Sequence, residues 1–182
     1  SELDGYIYYD ENEVLNLYGN IIVNGEVQIG GNLTKRSDTG PKYTVYYDGH
    51  ANIISTGNTY VYSRVIPQNW YEFSFTEGEE YSLLSLITQQ NIYPDLTNAP
   101  GGTGENDPNI AAMLIANGTI ELGDNTVLTG SSISDTLILG QNAEIYYRYG
   151  IGEFLGDAVP KFNDLLLIYS WQEIINDSTG SS

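Results

Sequence analysis

Ile22-Val23-Asn24-Gly25-Glu26-Val27-Gln28-Ile29-Gly30-Gly31-Asn32 aligns without a gap on Ile115-Ala116-Asn117-Gly118-Thr119-Ile120-Glu121-Leu122-Gly123-Asp124-Asn125. The offset is 93 at every position. A second echo is closer: Ile120-Glu121-Leu122-Gly123-Asp124-Asn125 recurs as Leu137-Ile138-Leu139-Gly140-Gln141-Asn142, an offset of 17. Short apolar strands separated by Asn-Gly, Gly-Asp-Asn and Gly-Gln-Asn corners mark a coiled β architecture. The expected fold is therefore mostly β, a short-strand, β-helix-like β-solenoid with one inserted helix. Seventeen residues per repeat suit a roughly triangular coil with three short strands per turn. Its inward residues would be Leu114, Ala116, Ile120, Leu122, Val127, Ile133, Leu137, Leu139 and Ile145. Val27 and Ile120 would occupy equivalent inward positions.

Outward from these stretches the same style continues. Residues 6–34 read as short strands, with Leu15 and Leu17, then Val27 and Ile29, alternating with polar neighbours. Strands resume over 43–47, 52–55 and 59–63, with turns at Asp48-Gly49 and Gly57-Asn58. Residues 64–109 break the pattern and read as one insertion, an excursion from the coil. It holds the dense aromatics Trp70, Tyr71, Phe73 and Phe75. It also holds a capping box, Thr76-Glu77-Gly78-Glu79. Acid in the first turn and an apolar stripe at Leu83, Leu84 and Ile87 predict a helix near 77–91, closed by Pro94. Residues 165–169 lead into Ser170-Trp171-Gln172-Glu173, a last strand or a short helix. One domain is expected over 1–182.

Lys and Arg total 6 against 24 Asp and Glu, a formal charge of −18. Polyanions are held by Lys and Arg, so this balance argues against nucleic acid and anionic membrane surfaces. It favours cations, Ca²⁺ among them. There is no cysteine, hence no disulfide or thiolate chemistry. The 16 Tyr and 20 Gly point to an extracellular, cell-surface protein. No apolar run is long enough to span a membrane, and no signal peptide is visible.

Residues 113–122, followed by Leu139-Gly140-Gln141-Asn142-Ala143-Glu144-Ile145-Tyr146-Tyr147 and by Ser170-Trp171-Gln172-Glu173, resemble the repeat pattern of PilX-like type IV pilus accessory proteins. The resemblance covers about half of the chain. It implies a β-solenoid ectodomain that works with pilus subunits. That family carries an N-terminal hydrophobic anchoring helix, which has no counterpart in these 182 residues. Bactofilin-like polymerising solenoids share the same style of repeat.

Catalytic signatures are missing. His50 is the one histidine, in the turn Asp48-Gly49-His50, where imidazole is ordinarily solvated. There is no nucleophile elbow, P-loop or His-Glu-x-x-His. Carboxylates are plentiful, so a β-helical carbohydrate-active enzyme is a third reading by residue type. For metal, Asp10, Glu11 and Glu13 in one turn, and Glu105 and Asp107 in another, supply hard oxygen ligands for a weak Ca²⁺ site. No cofactor is required. The aromatic surplus suits either core packing or stacking on surface glycans. Asn32, Asn117 and Asn176 each begin an Asn-x-Ser/Thr triplet.

These readings converge on a non-catalytic structural or adhesive protein of a cell-surface filament or pilus. Its partners would be its own copies or filament subunits. The short, apolar, β-prone segment Tyr6-Ile7-Tyr8-Tyr9 would make the assembly contact by strand addition. The alternative is a glycan-binding surface module. A filament subunit should show exposed strand edges, a glycan binder a row of solvent-facing aromatics, and an enzyme a groove of converging carboxylates.

Overall fold

The computed structural model describes residues 5–31, 43–70, 82–96, 99–104 and 106–147. These are mostly β. The strands are β1 (Gly5–Tyr9), β2 (Val14–Val23), β3 (Val27–Ile29), β4 (Thr44–Ser55), β5 (Thr59–Val61), β6 (Arg64–Pro67) and β7 (Leu83–Thr88). There follow β8 (Ile92–Pro94), β9 (Ile110–Ala116), β10 (Thr119–Leu122), β11 (Val127–Ile133), β12 (Thr136–Leu139) and β13 (Glu144–Tyr146). They form a mixed sheet in the order β1-β2-β4-β6-β9-β11-β13, with β7 between β4 and β9. A second sheet, all parallel, runs β12-β10-β8-β5-β3. In the first sheet only β1 is antiparallel, lying against β2.

The offset of 93 has a structural meaning. Val27 pairs with Thr59, Thr59 with Ile92, Ile92 with Ile120, and Ile120 with Leu137. Val27 and Ile120 thus stand in one column of the second sheet, three rungs apart. The closer echo of 17 is the next step of the same column. A parallel column forms on the first sheet, where Ile22, Ile54, Ile87, Ile115 and Ile133 pair in sequence. Parallel strands need a crossover, and in the sequence β8 lies between β7 and β9, β10 between β9 and β11, and β12 between β11 and β13.

The core lies between the sheets. Leu17, Leu86, Leu114 and Leu128 come from the first sheet, and Ile92, Ile120 and Leu122 from the second; all seven are essentially inaccessible to water. Burying each such side chain contributes about 1.5–3 kcal/mol. Of the residues expected to point inward, Leu114, Ala116, Ile120, Leu122 and Val127 are buried, and Ile145 packs half-buried against the core. Three are not buried: Ile133, Leu137 and Leu139 are 40%, 42% and 52% exposed. Ile133 belongs to the outward isoleucine column, because pleating alternates faces and Leu128 points in. Leu137 and Leu139 do share a column with Ile120 and Leu122, but among the described residues β12 is the last strand of its sheet.

Two expectations on the middle of the chain need correction. The helix placed near 77–91 is absent over its described part: Leu83–Thr88 is strand β7, and residues 77–81 lie outside the described residues. Five of the six β7 residues are buried. A strand covered on both faces reads as a continuous apolar run, and over so few residues that run also fits a helical stripe. The excursion expected over 64–109 is also narrower. Within it β6, β7 and β8 pair with β4, β5, β9 and β10 as ordinary rungs. Trp70 joins Ile66 and Ala111 in a smaller apolar cluster and donates from Nε1 to the Asn106 carbonyl at 3.1 Å. Tyr71, Phe73 and Phe75 lie outside the described residues.

The turn expected at Asp48-Gly49 is instead inside β4, and His50 pairs across to Tyr18 and Leu83. Gly49 has φ of +97°, and a side chain there would strike the Leu17 carbonyl. Gly130 does the same in β11, with φ of +151° and the Ala112 carbonyl in the way. Only glycine meets both demands. The corners behave as their residues suggest. Asn125 and Asn142 have φ of +55° and +58°, a region asparagine tolerates. The two stack, with Asn142 Nδ2 donating to Asn125 Oδ1 at 3.2 Å.

Candidate functional site

β1 is short, apolar and at the end of its sheet. It turns back on β2 through residues 10–13, with Tyr6 opposite Tyr18, Ile7 opposite Leu17 and Tyr9 opposite Leu15. Tyr6 stacks on Tyr18 with ring centroids 5.9 Å apart. Pairing leaves the four side chains in water: Tyr6, Ile7, Tyr8 and Tyr9 are 54%, 55%, 61% and 60% exposed. Among the described residues nothing pairs with the outer side of β1. An unpaired edge offers backbone donors and acceptors to another strand. At the opposite end β12 also carries exposed apolar side chains, Leu137, Ile138 and Leu139.

The carboxylates singled out for Ca²⁺ have local duties. Asp10 Oδ1 accepts from the backbone N–H groups of Asn12 and Val14 at 2.9 and 3.0 Å. Its Oδ2 accepts from Asn16 Nδ2 at 3.1 Å. The Val14 N–H foremost, with Asn16 and Asn12, holds the Asp10 carboxyl below its ordinary range. Glu11 and Glu13 are exposed on the same turn, and Glu13 has φ of +61°. Asp107 is taken up by Arg64: the guanidinium Nη2 lies 2.5 Å from its Oδ1, and Thr103 donates to its Oδ2 at 2.9 Å. Arg64 Nε donates to the Pro108 carbonyl at 2.9 Å, so Arg64 holds the chain at Asp107 and Pro108. Glu105 lies outside the described residues. Among the described residues no three His, Cys, Asp or Glu gather as a metal site. Asn117 is exposed at its corner; Asn32 and Asn176 lie outside the described residues.

A feature the sequence reading missed lies on the outer face of the second sheet. Ile92 and Ile120 point inward as neighbours, so Tyr93 and Glu121 stand side by side on the outside. Tyr60 pairs with Tyr93 in the preceding step. The rings stack: Tyr60 lies 5.4 Å from Tyr93 and 6.0 Å from Tyr62, with interplanar angles of 19° in both cases. With Asp95, Glu121 and Asp124 they line an open groove of about 550 Å³. The signal was present as Tyr60-Val61-Tyr62 and Ile92-Tyr93-Pro94, but only the rung register brings 60 and 93 together.

Among the described residues no helix is long and apolar enough to cross a membrane. No protein-family model, curated protein or solved structure significantly matches this chain, so its chemistry rests on its own geometry.

Proposed function

We propose that the chain is a β-solenoid that serves as a non-catalytic structural or adhesive component of a cell-surface filament, assembling through β1. Support for the coil comes from the two in-register columns, each taking one residue per repeat. In the middle repeat three separate strands occur, β6, β7 and β8. In the neighbouring β4, and in β11 one strand beyond β9, a glycine of positive φ stands at the level of the joint between the first two segments. The role is that expected from the resemblance to PilX-like pilus accessory proteins. The observation that carries it is the exposed apolar edge at Tyr6-Ile7-Tyr8-Tyr9, the feature a filament subunit needs.

The test is light scattering on the intact chain and on an Ile7→Lys/Tyr8→Lys variant in moderate salt. The intact chain should grow in mass with concentration, and the variant should stay monomeric. The two lysines lower the net negative charge and so weaken repulsion. Monomerisation would therefore report the edge and not the charge. An intact chain that is monomeric in every condition would sink the reading.

A further inference from the structure

We propose that the Tyr60–Tyr62–Tyr93 groove binds the arginine or lysine side chains of a basic peptide segment on a partner protein. Three features of the groove lead there. Among the described residues that line it none is positive, while Glu121 and Asp124 supply carboxylates beside Asp95. A ligand that displaced water without bringing positive charge would desolvate those groups for nothing. The stacked rings add π surface, and cations are drawn to the faces of tyrosine.

Hydrogen-bond polarity gives the third argument. The Gly123 N–H is spent on the Pro94 carbonyl and the Asp95 N–H on that of Val61. The Tyr60 hydroxyl already accepts from Asn58 Nδ2 at 3.2 Å. Asp124 Oδ1 accepts from the Gln141 N–H at 2.7 Å, which orients the carboxylate. Two backbone N–H groups of the groove are thus spent, the tyrosine hydroxyls can donate or accept, and Glu121 and Asp124 supply carboxylate acceptors. Guanidinium and ammonium groups are donors only, so every hydrogen bond they make in the groove runs to an acceptor such as a carboxylate. The side-by-side placement of Tyr93 and Glu121 offers a ring and a carboxylate one rung apart, about 5 Å, the arrangement a guanidinium can bridge.

The inference is independent of assembly through β1. It can be tested at low salt, where mutual repulsion keeps the chains apart. A triarginine peptide is titrated while the tyrosine ring resonances are followed by NMR. Tyr60, Tyr62 and Tyr93 should shift, and added NaCl should weaken the effect. Glu121→Gln and Tyr93→Leu should each weaken binding by about three- to tenfold. The isosteric tricitrulline peptide should leave the rings unmoved. Glu121 is exposed, so its variant keeps the test valid even if Tyr93→Leu fails to fold. Unchanged affinity in both variants would mean diffuse attraction to an acidic protein and would overturn the site. A neutral N-acetylglucosamine oligosaccharide that shifted the same rings more strongly would reassign the groove to glycans. Absence of any ring shift with the peptide would overturn it as well.

Discussion

Single side chains settle how two turns of the described chain are held. Asp10 accepts three hydrogen bonds and thereby closes the turn that folds β1 back on β2. Its carboxyl is held below its ordinary range, so the charged form is the one the fold prefers. A depressed group contributes stability above its unfolded value, near pH 4, and loses it as pH falls through the folded value. The hairpin should therefore be tight at pH 7 and loosen in acid. Following the Tyr6–Tyr18 ring contact by NMR from pH 7 to pH 3 would read this directly. Asp10→Ala should show the loosened signal already at pH 7, and persistence of the contact in that variant would contradict the assignment. Asp107 acts differently. Arg64 keeps only 7% of its side chain exposed, so loss of the Asp107 carboxylate removes a short ion pair from a buried cation. Asp107 itself is 31% exposed, which moderates the effect. Asp107→Ala should cost about 2 kcal/mol in chemical denaturation.

At the scale of strands, one column gives a matched pair of tests. Leu122 and Leu139 face each other across β10 and β12, yet they are 0% and 52% exposed. Leu122→Asp should bury a carboxylate without a partner and cost several kcal/mol, a large part of the roughly 5–15 kcal/mol that holds a domain together. Leu139→Asp at the equivalent position should cost under about 1 kcal/mol. Equal losses in thermal melts would mean that the column does not end at β12. The same strands show what could be read in advance. The gapless match of 22–32 with 115–125 aligned Val27 with Ile120, and strand pairing sets the two in one column. The strand β7 was illegible because six residues, five of them buried, carry no period, and the neighbouring capping box favoured a helix. The Asp48-Gly49 pair signalled a turn, although β2 runs on in register past it. For the candidate site, the β1 edge was legible as a short apolar strand. The tyrosine groove was not, since residues 60, 93 and 121 become neighbours only through repeats of unequal length.

For the whole molecule, charge opposes what the edge strand invites. Each chain carries a formal −18, so two copies approaching through β1 repel one another. Salt shortens the reach of that repulsion from about 10 Å at 0.1 M to about 3 Å at 1 M. The apolar and backbone contacts of β1 do not weaken in the same way. Assembly should therefore strengthen as salt is added, the reverse of an interface built on ion pairs. Which cation supplies the salt is the sharper question. Asp10 and Asp107 are engaged by their own turns, and no three acidic ligands gather among the described residues. Simple screening then predicts that NaCl, MgCl₂ and CaCl₂ at equal ionic strength give equal mass by light scattering. A bridging Ca²⁺ site would act far below the ionic strength needed for Na⁺, and chelation would reverse it. That outcome would return Glu11, Glu13 and Glu105 to consideration as ligands shared between copies. Equal curves for the three salts would instead fix screening of the surface charge as the control on association through β1.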